Sequence, residues 1–388
     1  MNDNYLLMHK DVTCGVIAVD RDSGALTEFK VTEKEFVPFL GNADERLMKI
    51  WWNHRAVPGS RRDMEELIKK AGCDNAMGYL AKNLALSLTD TYWICPADIN
   101  LVWTDINLYK ICGSGKEVVE YRSGTSYDPN ASLGGQMNKY WDISKETPVL
   151  VKKAYENFGQ QSMNEVFSTE VHSRQNTDVP FASYKLIESE DNAVCSSCDS
   201  FTTENVEFIS AYEVIRSSKK KASESDFDHY LNVCEAHGLN KSEMQEFMDY
   251  LILSDFAISN VDEHLQNFGV LRDADTLKLI GSAPIFDSGN SMFFNYNSEN
   301  ALTRTELLEM GITSFHKSEE KMLSHVSNKF ALDPERLPTR AEVNEMYSSY
   351  GLPDEKAMFV ADSYNNKLSL LHDFQKGIKI SLYNEKHQ

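Results

Sequence analysis

Ile258-Ser-Asn-Val-Asp-Glu-His-Leu-Gln-Asn-Phe-Gly-Val-Leu271, a short polar turn, and then Ser282-Ala-Pro-Ile-Phe-Asp-Ser-Gly-Asn-Ser-Met-Phe-Phe294 form the stretch on which the reading of this chain turns. Asp262 and Asn267 lie five residues apart with His264 between them, and Asp287 follows an apolar, strand-like segment. Phosphoryl transfer from ATP asks for little covalent chemistry: a carboxylate facing the acceptor hydroxyl, and side-chain oxygens that hold Mg²⁺ on the phosphates. An Asp, an Asn five residues on and a second Asp beyond a hairpin can supply all of these. Each carboxylate sits beside a turn, which suits a group that must project into a cleft. An Asp-x-His spacing or an Asp-Ser-Gly turn alone is ordinary turn chemistry. The order of the two, with apolar strands between them, carries the reading.

The chain has 388 residues, enough for two or three units. Hydrophobic content of 41% and charged content of 25% belong to a soluble globular class with a sizeable core. A net charge of −20 argues against broad binding to nucleic acid or an anionic membrane, which needs a cationic footprint. Lys219, Lys220 and Lys221 read as a solvated loop. Met1-Asn-Asp-Asn is polar, without the basic start and apolar core of a signal peptide, and no apolar run reaches transmembrane length. The seven cysteines are odd in number and scattered, which fits a reduced, cytoplasmic setting. Cys195-Ser-Ser-Cys198 is a lone CxxC, read as two buried thiols on a strand rather than a zinc or redox site.

In chain order, Val16–Val19 and Phe29–Val31 flank the turn Arg21-Asp-Ser-Gly24 and predict a β-hairpin over residues 4–31. Residues 42–90 read as helical, with Ser60 as a cap ahead of Met64, Leu67 and Ile68. Trp51, Trp52 and Trp93 read as core. Residues 113–130, rich in Gly, Ser, Asp and Pro, predict a connector. Ser132-Leu-Gly-Gly-Gln136 follows, where a Gly pair between strands lets backbone amides approach a phosphate. Pro148–Lys153 reads as a strand on which Lys152 and Lys153 face opposite ways. Asn164-Glu165 is expected to open a helix carrying Val166, Phe167 and Val171, with Glu165 placed to pair with Lys152 or to meet the helix dipole. Strand pieces follow at 181–187, 193–195 and 205–210. Ser242-Glu-Met-Gln245 predicts a capping box ahead of a buried helix marked by Met244, Phe247, Met248, Leu251, Ile252 and Phe256. The remainder reads as mainly helical.

A β-rich half carrying a Gly loop, a strand Lys and a helix Glu precedes a helical half carrying the two acidic motifs. On Ser132-Leu-Gly-Gly135, Leu150-Val-Lys152, Asn164-Glu165, Asn260–Gly269 and Ala283–Asp287, the chain resembles the HipA-like serine/threonine kinases, the bacterial toxin-kinase group, best over residues 130–300. The resemblance implies an α+β, bilobal protein-kinase-like fold with ATP between the lobes. The expected division is a mixed accessory region over 1–115, an N-lobe over 116–215 and a helical C-lobe over 216–388. It implies that Asp262 orients the acceptor hydroxyl and takes its proton, and that Asn267 and Asp287 bind Mg²⁺. Lys152, oriented by Glu165, would hold the α- and β-phosphates, with Gly134, Gly135 and Gln136 covering them. Ser196–Phe201, including Cys198 and Phe201, would be the hinge that reads adenine. Ser132 would be a regulatory autophosphorylation site, and His264 would brace the catalytic loop.

The implied activity is Mg-assisted transfer of the ATP γ-phosphate to a Ser or Thr hydroxyl of a protein, with a small antitoxin-like protein as a further partner. The Trp-rich N-terminal region departs from the family's founding members, and that departure bears on the antitoxin expectation. Asp287-Ser-Gly289 stands where eukaryotic kinases have Asp-Phe-Gly, so their activation-loop logic is not carried over. Two other readings stand beside the first: a small-molecule or lipid kinase of the same fold, and a nucleotide-binding pseudokinase module.

Overall fold

The computed structural model describes residues 2–58, 61, 64–114, 127–188, 193–296 and 298–387. Ser60, expected as a helix cap, lies outside the described residues, as do residues 115–126 of the expected connector. Packing divides the chain into two compact units. One comprises residues 1–152, 199–220 and 271–280; the other comprises 153–198, 221–270 and 281–388. This division cuts across the boundaries at 115/116 and 215/216 read from the sequence.

The first unit is built on an antiparallel sheet of β1 (Asn2–His9), β2 (Val12–Asp20), β3 (Leu26–Val31) and β4 (Tyr92–Pro96), in the order β3-β2-β1-β4. The expected hairpin is β2–β3. Its turn is closed by Asp20, whose Oδ1 accepts from the Ser23 amide at 2.9 Å, and by Gly24 at φ 70°. β1 and β4 enlarge that hairpin into a four-stranded sheet covered on both faces. Leu7 packs into one core with Trp51 and Trp52, while Met8 packs into another with Trp93 and Trp103. A strand buried on both faces loses the polar–apolar alternation that announces a strand in sequence. The helix Glu45–Arg55 supplies Trp51 and Trp52, and the Trp52 indole N–H donates to the Gly24 carbonyl at 2.9 Å.

Seven further strands lie among the described residues: β5 (Asn138–Asp142), β6 (Val149–Ala154), β7 (Lys185–Ile187), β8 (Val194–Asp199), β9 (Val206–Ser210), β10 (Gly269–Asp273) and β11 (Leu279–Ser282). β9 to β11 form a sheet in the order β11-β10-β9, and β7 pairs antiparallel with β8. Of the strand expected over 181–187, only β7 forms. Phe181 makes a single bridge to Ile285. Cys195 and Cys198 are buried on β8, and none of the seven cysteines, all of them among the described residues, is in a disulfide.

An ionic knot sits inside the first unit. The Glu207 carboxylate on β9 accepts from Arg272 Nη2 at 2.6 Å, from the Thr91 amide at 2.8 Å and from the Thr91 hydroxyl at 2.6 Å. Its Oε1 lies 3.0 Å from His9 Nε2, and Arg272 also donates to the Tyr92 hydroxyl at 3.0 Å. Glu207 is fully buried and Arg272 is 1% exposed.

The second unit is mainly helical. The helix Lys241–Ile258 buries the whole expected stripe from Met244 to Phe256, each large side chain contributing about 1.5–3 kcal/mol. Its cap differs from expectation. Asn240, not Ser242, is the N-cap, its Oδ1 accepting from the Ser242 amide at 2.9 Å. The Asn side chain meets the first free amides of a helix that starts two residues earlier than the Ser cap implied. The helix expected to open at Asn164 begins a full turn earlier and spans Gln160–Arg174. Residues 354–375 form the longest helix among the described residues, and none of those helices is long and apolar enough to cross a membrane.

Candidate active site

The helix Lys241–Ile258 ends on Ser259, held at φ 52°, ψ 48° with its amide donating back into the last turn. A left-handed cap usually takes Gly or Asn, and a Ser there costs about 1 kcal/mol or more. That cap turns the chain abruptly into the loop 260–268. Asn260 fixes the loop's start: its Nδ2 donates to Asp255 at 3.0 Å and to Glu263 at 3.1 Å, while its Oδ1 accepts from the Asp262 amide at 3.3 Å.

Both carboxylate oxygens of Asp262 are engaged. Oδ2 accepts from Asn290 Nδ2 at 2.8 Å and Oδ1 from the Thr313 hydroxyl at 3.1 Å. Asn267 donates its Nδ2 to the Asp262 carbonyl at 2.8 Å, so its own amide oxygen is the end left to ligate. His264 accepts at Nδ1 from the Gln266 amide at 3.3 Å, a bond internal to the loop.

Asp287 sits at φ 65°, a left-handed conformation that a non-Gly residue holds only when its surroundings enforce it. The enforcing element is the helix Gln160–Arg174. Glu165 Oε2 accepts from the Ser288 amide at 3.1 Å. Asn164 Nδ2 donates to the Gly289 and Ser291 carbonyls, each at 2.8 Å, and Gln160 to the Met292 carbonyl at 2.9 Å. Ser168 meets Ser288 at 3.1 Å. A Cβ at Gly289 would lie 3.3 Å from Glu165 Oε1, a tight approach that would displace the carboxylate by a few tenths of an ångström. The turn 287–290 then reaches the other loop, where the Val261 amide donates to the Asn290 carbonyl at 3.2 Å.

Negative charge accumulates here. Burial, and then the neighbouring carboxylates of Asp255, Asp287 and Asp262, push the Glu263 carboxyl well above the usual carboxylate range. Among the described residues no three His, Cys, Asp or Glu side chains group as a dedicated metal cluster. Asn267 and Asp287 are a pair of hard oxygen donors, the kind Mg²⁺ takes together with water and phosphate.

Other expected site residues lie in the first unit. Ser132 closes the turn Pro129–Ser132 and donates its hydroxyl to the Leu86 carbonyl at 2.7 Å, so the expected modification would first have to release it. Gly134 faces open space and Gln136 is exposed. Gly135 has φ 90°, and a Cβ there would meet Lys139 Nζ at 2.5 Å. Lys152 is 1% exposed on β6, whereas Lys153 is half-buried. Phe201 packs edge-on against Phe208, with ring centroids 5.9 Å apart. In the second unit, Cys198 is buried at the end of β8.

Sequence reasoning missed Asn290 and Thr313, which hold the Asp262 carboxylate, and Gln160 and Ser168, which help clasp the 288–292 backbone. The available signal was a run of uncharged polar residues at 160, 164 and 168, one face of a helix otherwise bound for the interior.

The family model described as the HipA-like C-terminal domain matches residues 131–350, more than half of the chain and all of the candidate residues. Among solved structures, a Helicobacter pylori proinflammatory kinase, CtkA, is similar at 14% identity with a TM-score of 0.48, over 63% of this chain and 97% of that one. No curated protein matches.

Proposed function

The chain belongs to the HipA-like C-terminal domain family, a kinase family, and from that premise we propose that it is an ATP-dependent serine/threonine protein kinase able to phosphorylate itself. The observation that carries the reading is the meeting of the two acidic loops: Asn290, three residues after Asp287, donates to Asp262, while Asn267 donates to the same residue's backbone.

In this reading Asp262, aimed by Asn290 and Thr313, orients the acceptor hydroxyl and receives its proton. Asn267 and Asp287 would hold Mg²⁺ as a pair of hard oxygen donors. Bound to ATP, the ion neutralises charge on the transferring phosphoryl group. Glu165 holds the turn after Asp287 in place. Lys152 contacts the α- and β-phosphates, Gly134, Gly135 and Gln136 cover them, and the backbone of 196–201 binds adenine. A small antitoxin-like protein is the partner the family suggests.

Incubating the full chain with γ-labelled ATP and a generic protein acceptor tests this reading. Label should enter protein with Mg²⁺ present and disappear with a chelator; absence of transfer to the chain or to any protein acceptor counts against it. Asp287→Ala should weaken Mg-ATP binding about 100-fold by calorimetry, as expected for loss of a charged ligand worth about 3 kcal/mol; an unchanged affinity removes the metal role. Asn290→Ala should lower turnover about tenfold with ATP affinity unchanged, because one hydrogen bond aiming Asp262 is worth about 1.4 kcal/mol. Initial rates across ATP concentrations separate the two effects.

A further inference from the structure

A cavity partly open to solvent lies wholly within the second unit between the helix Lys241–Ile258 and residues 312–323. Its walls are apolar, with Met248, Leu251, Phe256 and Met322 among them. Its polar lining carries three carboxyl groups, Asp255, Glu263 and Glu319, beside Asn260, Thr313 and Ser314. Glu319 already has a cation, because the buried ammonium of Lys367 hydrogen-bonds to it and sits 3.9 Å from the centre of the Phe256 ring.

Asp255 and Glu263 have no such partner among the described residues; Asn260 Nδ2 alone bridges them, at 3.0 and 3.1 Å. Glu263 is 5% exposed, yet its Oε1 has no hydrogen-bond partner among the described residues. A buried acceptor left unmet costs about 1–3 kcal/mol, and such a group is the usual mark of an unfilled ligand contact or a functional constraint.

We propose that this cavity is a binding site for a small organic cation, a primary ammonium on a short apolar body. The ammonium donates to Glu263 Oε1 and neutralises the Asp255–Glu263 pair. The apolar body lies against the methionine, leucine and phenylalanine walls, as Lys367 already lies against Phe256. Burial pushes the Asp255 carboxyl up to about 8, and Glu263 moves the same way, so negative charge on the pair is costly without a cation beside it. A neutral ligand of the same shape fills the space and leaves that charge problem in place. The cavity also touches the catalytic loop. Thr313 lines it and donates to Asp262, and Asn260 lines it and accepts from the Asp262 amide. Occupancy therefore alters the rate of phosphotransfer, a clause that rests on the kinase reading above.

Methyl-labelled methionine NMR on the full chain tests the site without any appeal to activity. Benzylamine should shift the Met248 and Met322 methyl signals at a concentration at least tenfold below that needed by benzyl alcohol. Glu263→Gln, checked for unchanged fold by circular dichroism, should remove that preference; should it fail to fold, Asp255→Asn takes its place. Equal titration by amine and alcohol, no methyl shift up to millimolar amine, or an amine preference that survives both substitutions overturns the site. With the site saturated, phosphotransfer should change at least twofold. An unchanged rate with the methyl shifts present overturns the coupling to Asp262, while absence of phosphotransfer in every condition bears on the kinase reading and not on the site.

Discussion

Asp262→Asn keeps the affinity of the parent for ATP and transfers phosphate more slowly by about 10²–10⁴-fold, the range expected when a positioned acid–base group is removed. The substitution is nearly isosteric, so the loop 260–268 retains Asn260 on the backbone amide of residue 262 and Asn267 on its carbonyl. The change is confined to a carboxylate that accepts from Asn290 and Thr313. An amide cannot take a proton from the acceptor hydroxyl, and its NH₂ group would face one of those two donors. Single-turnover transfer, measured with ATP saturating, isolates the chemical step. A variant as fast as the parent would sink the role assigned to Asp262, whatever the fate of the metal ligands.

Glu207→Ala destabilises the first unit by about 3–5 kcal/mol, because it leaves the Arg272 guanidinium buried without its counter-charge. Denaturant unfolding monitored by tryptophan fluorescence reads this directly, since Trp51, Trp52 and Trp93 all lie in that unit's cores. A loss under about 1 kcal/mol would show that the pair is solvated or dispensable. The pH dependence has a definite sign. Burial alone would raise the Glu207 pKa, but Arg272, His9 and Thr91 outweigh it and hold the carboxyl far below its usual value of 4.5. A carboxyl depressed in the folded state contributes stability that is complete above the unfolded pKa and is lost as pH falls toward the folded one. The parent should therefore lose stability progressively below about pH 4.5, and the Glu207→Ala chain should show a shallower acid limb.

What the sequence disclosed and what it withheld divide along one physical line. Asp262, Asn267 and Asp287 stood out because a short loop and a tight turn impose fixed spacings on neighbouring residues. The stripe from Met244 to Phe256 was legible because burial of one helix face repeats every three to four positions. Asn164, Gln160 and Ser168 share one helix face, but that spacing does not name what they bind. They bond to carbonyls and hydroxyls more than a hundred residues away, and any backbone carbonyl accepts, so nothing in the partner's sequence marks the pairing. Asn290 and Thr313 escaped because an amide or hydroxyl that steadies a carboxylate 28 or 51 residues away carries no spacing signature of its own. The sheet β3-β2-β1-β4 was half-read: the β2–β3 hairpin announces itself through its turn, whereas β1, buried on both faces, lacks an alternating pattern.

The ionic knot around Glu207 has a practical corollary for dissecting this protein. Its members come from positions 9, 91, 207 and 272, so one interior is sewn from four separate segments of the chain. Expression of residues 116–388 as a free-standing catalytic fragment would strip His9 and Thr91 from Glu207 and lay bare the face of β9 that carries it. Such a fragment should be recovered aggregated, and adding residues 1–115 back as a separate chain during refolding should restore it.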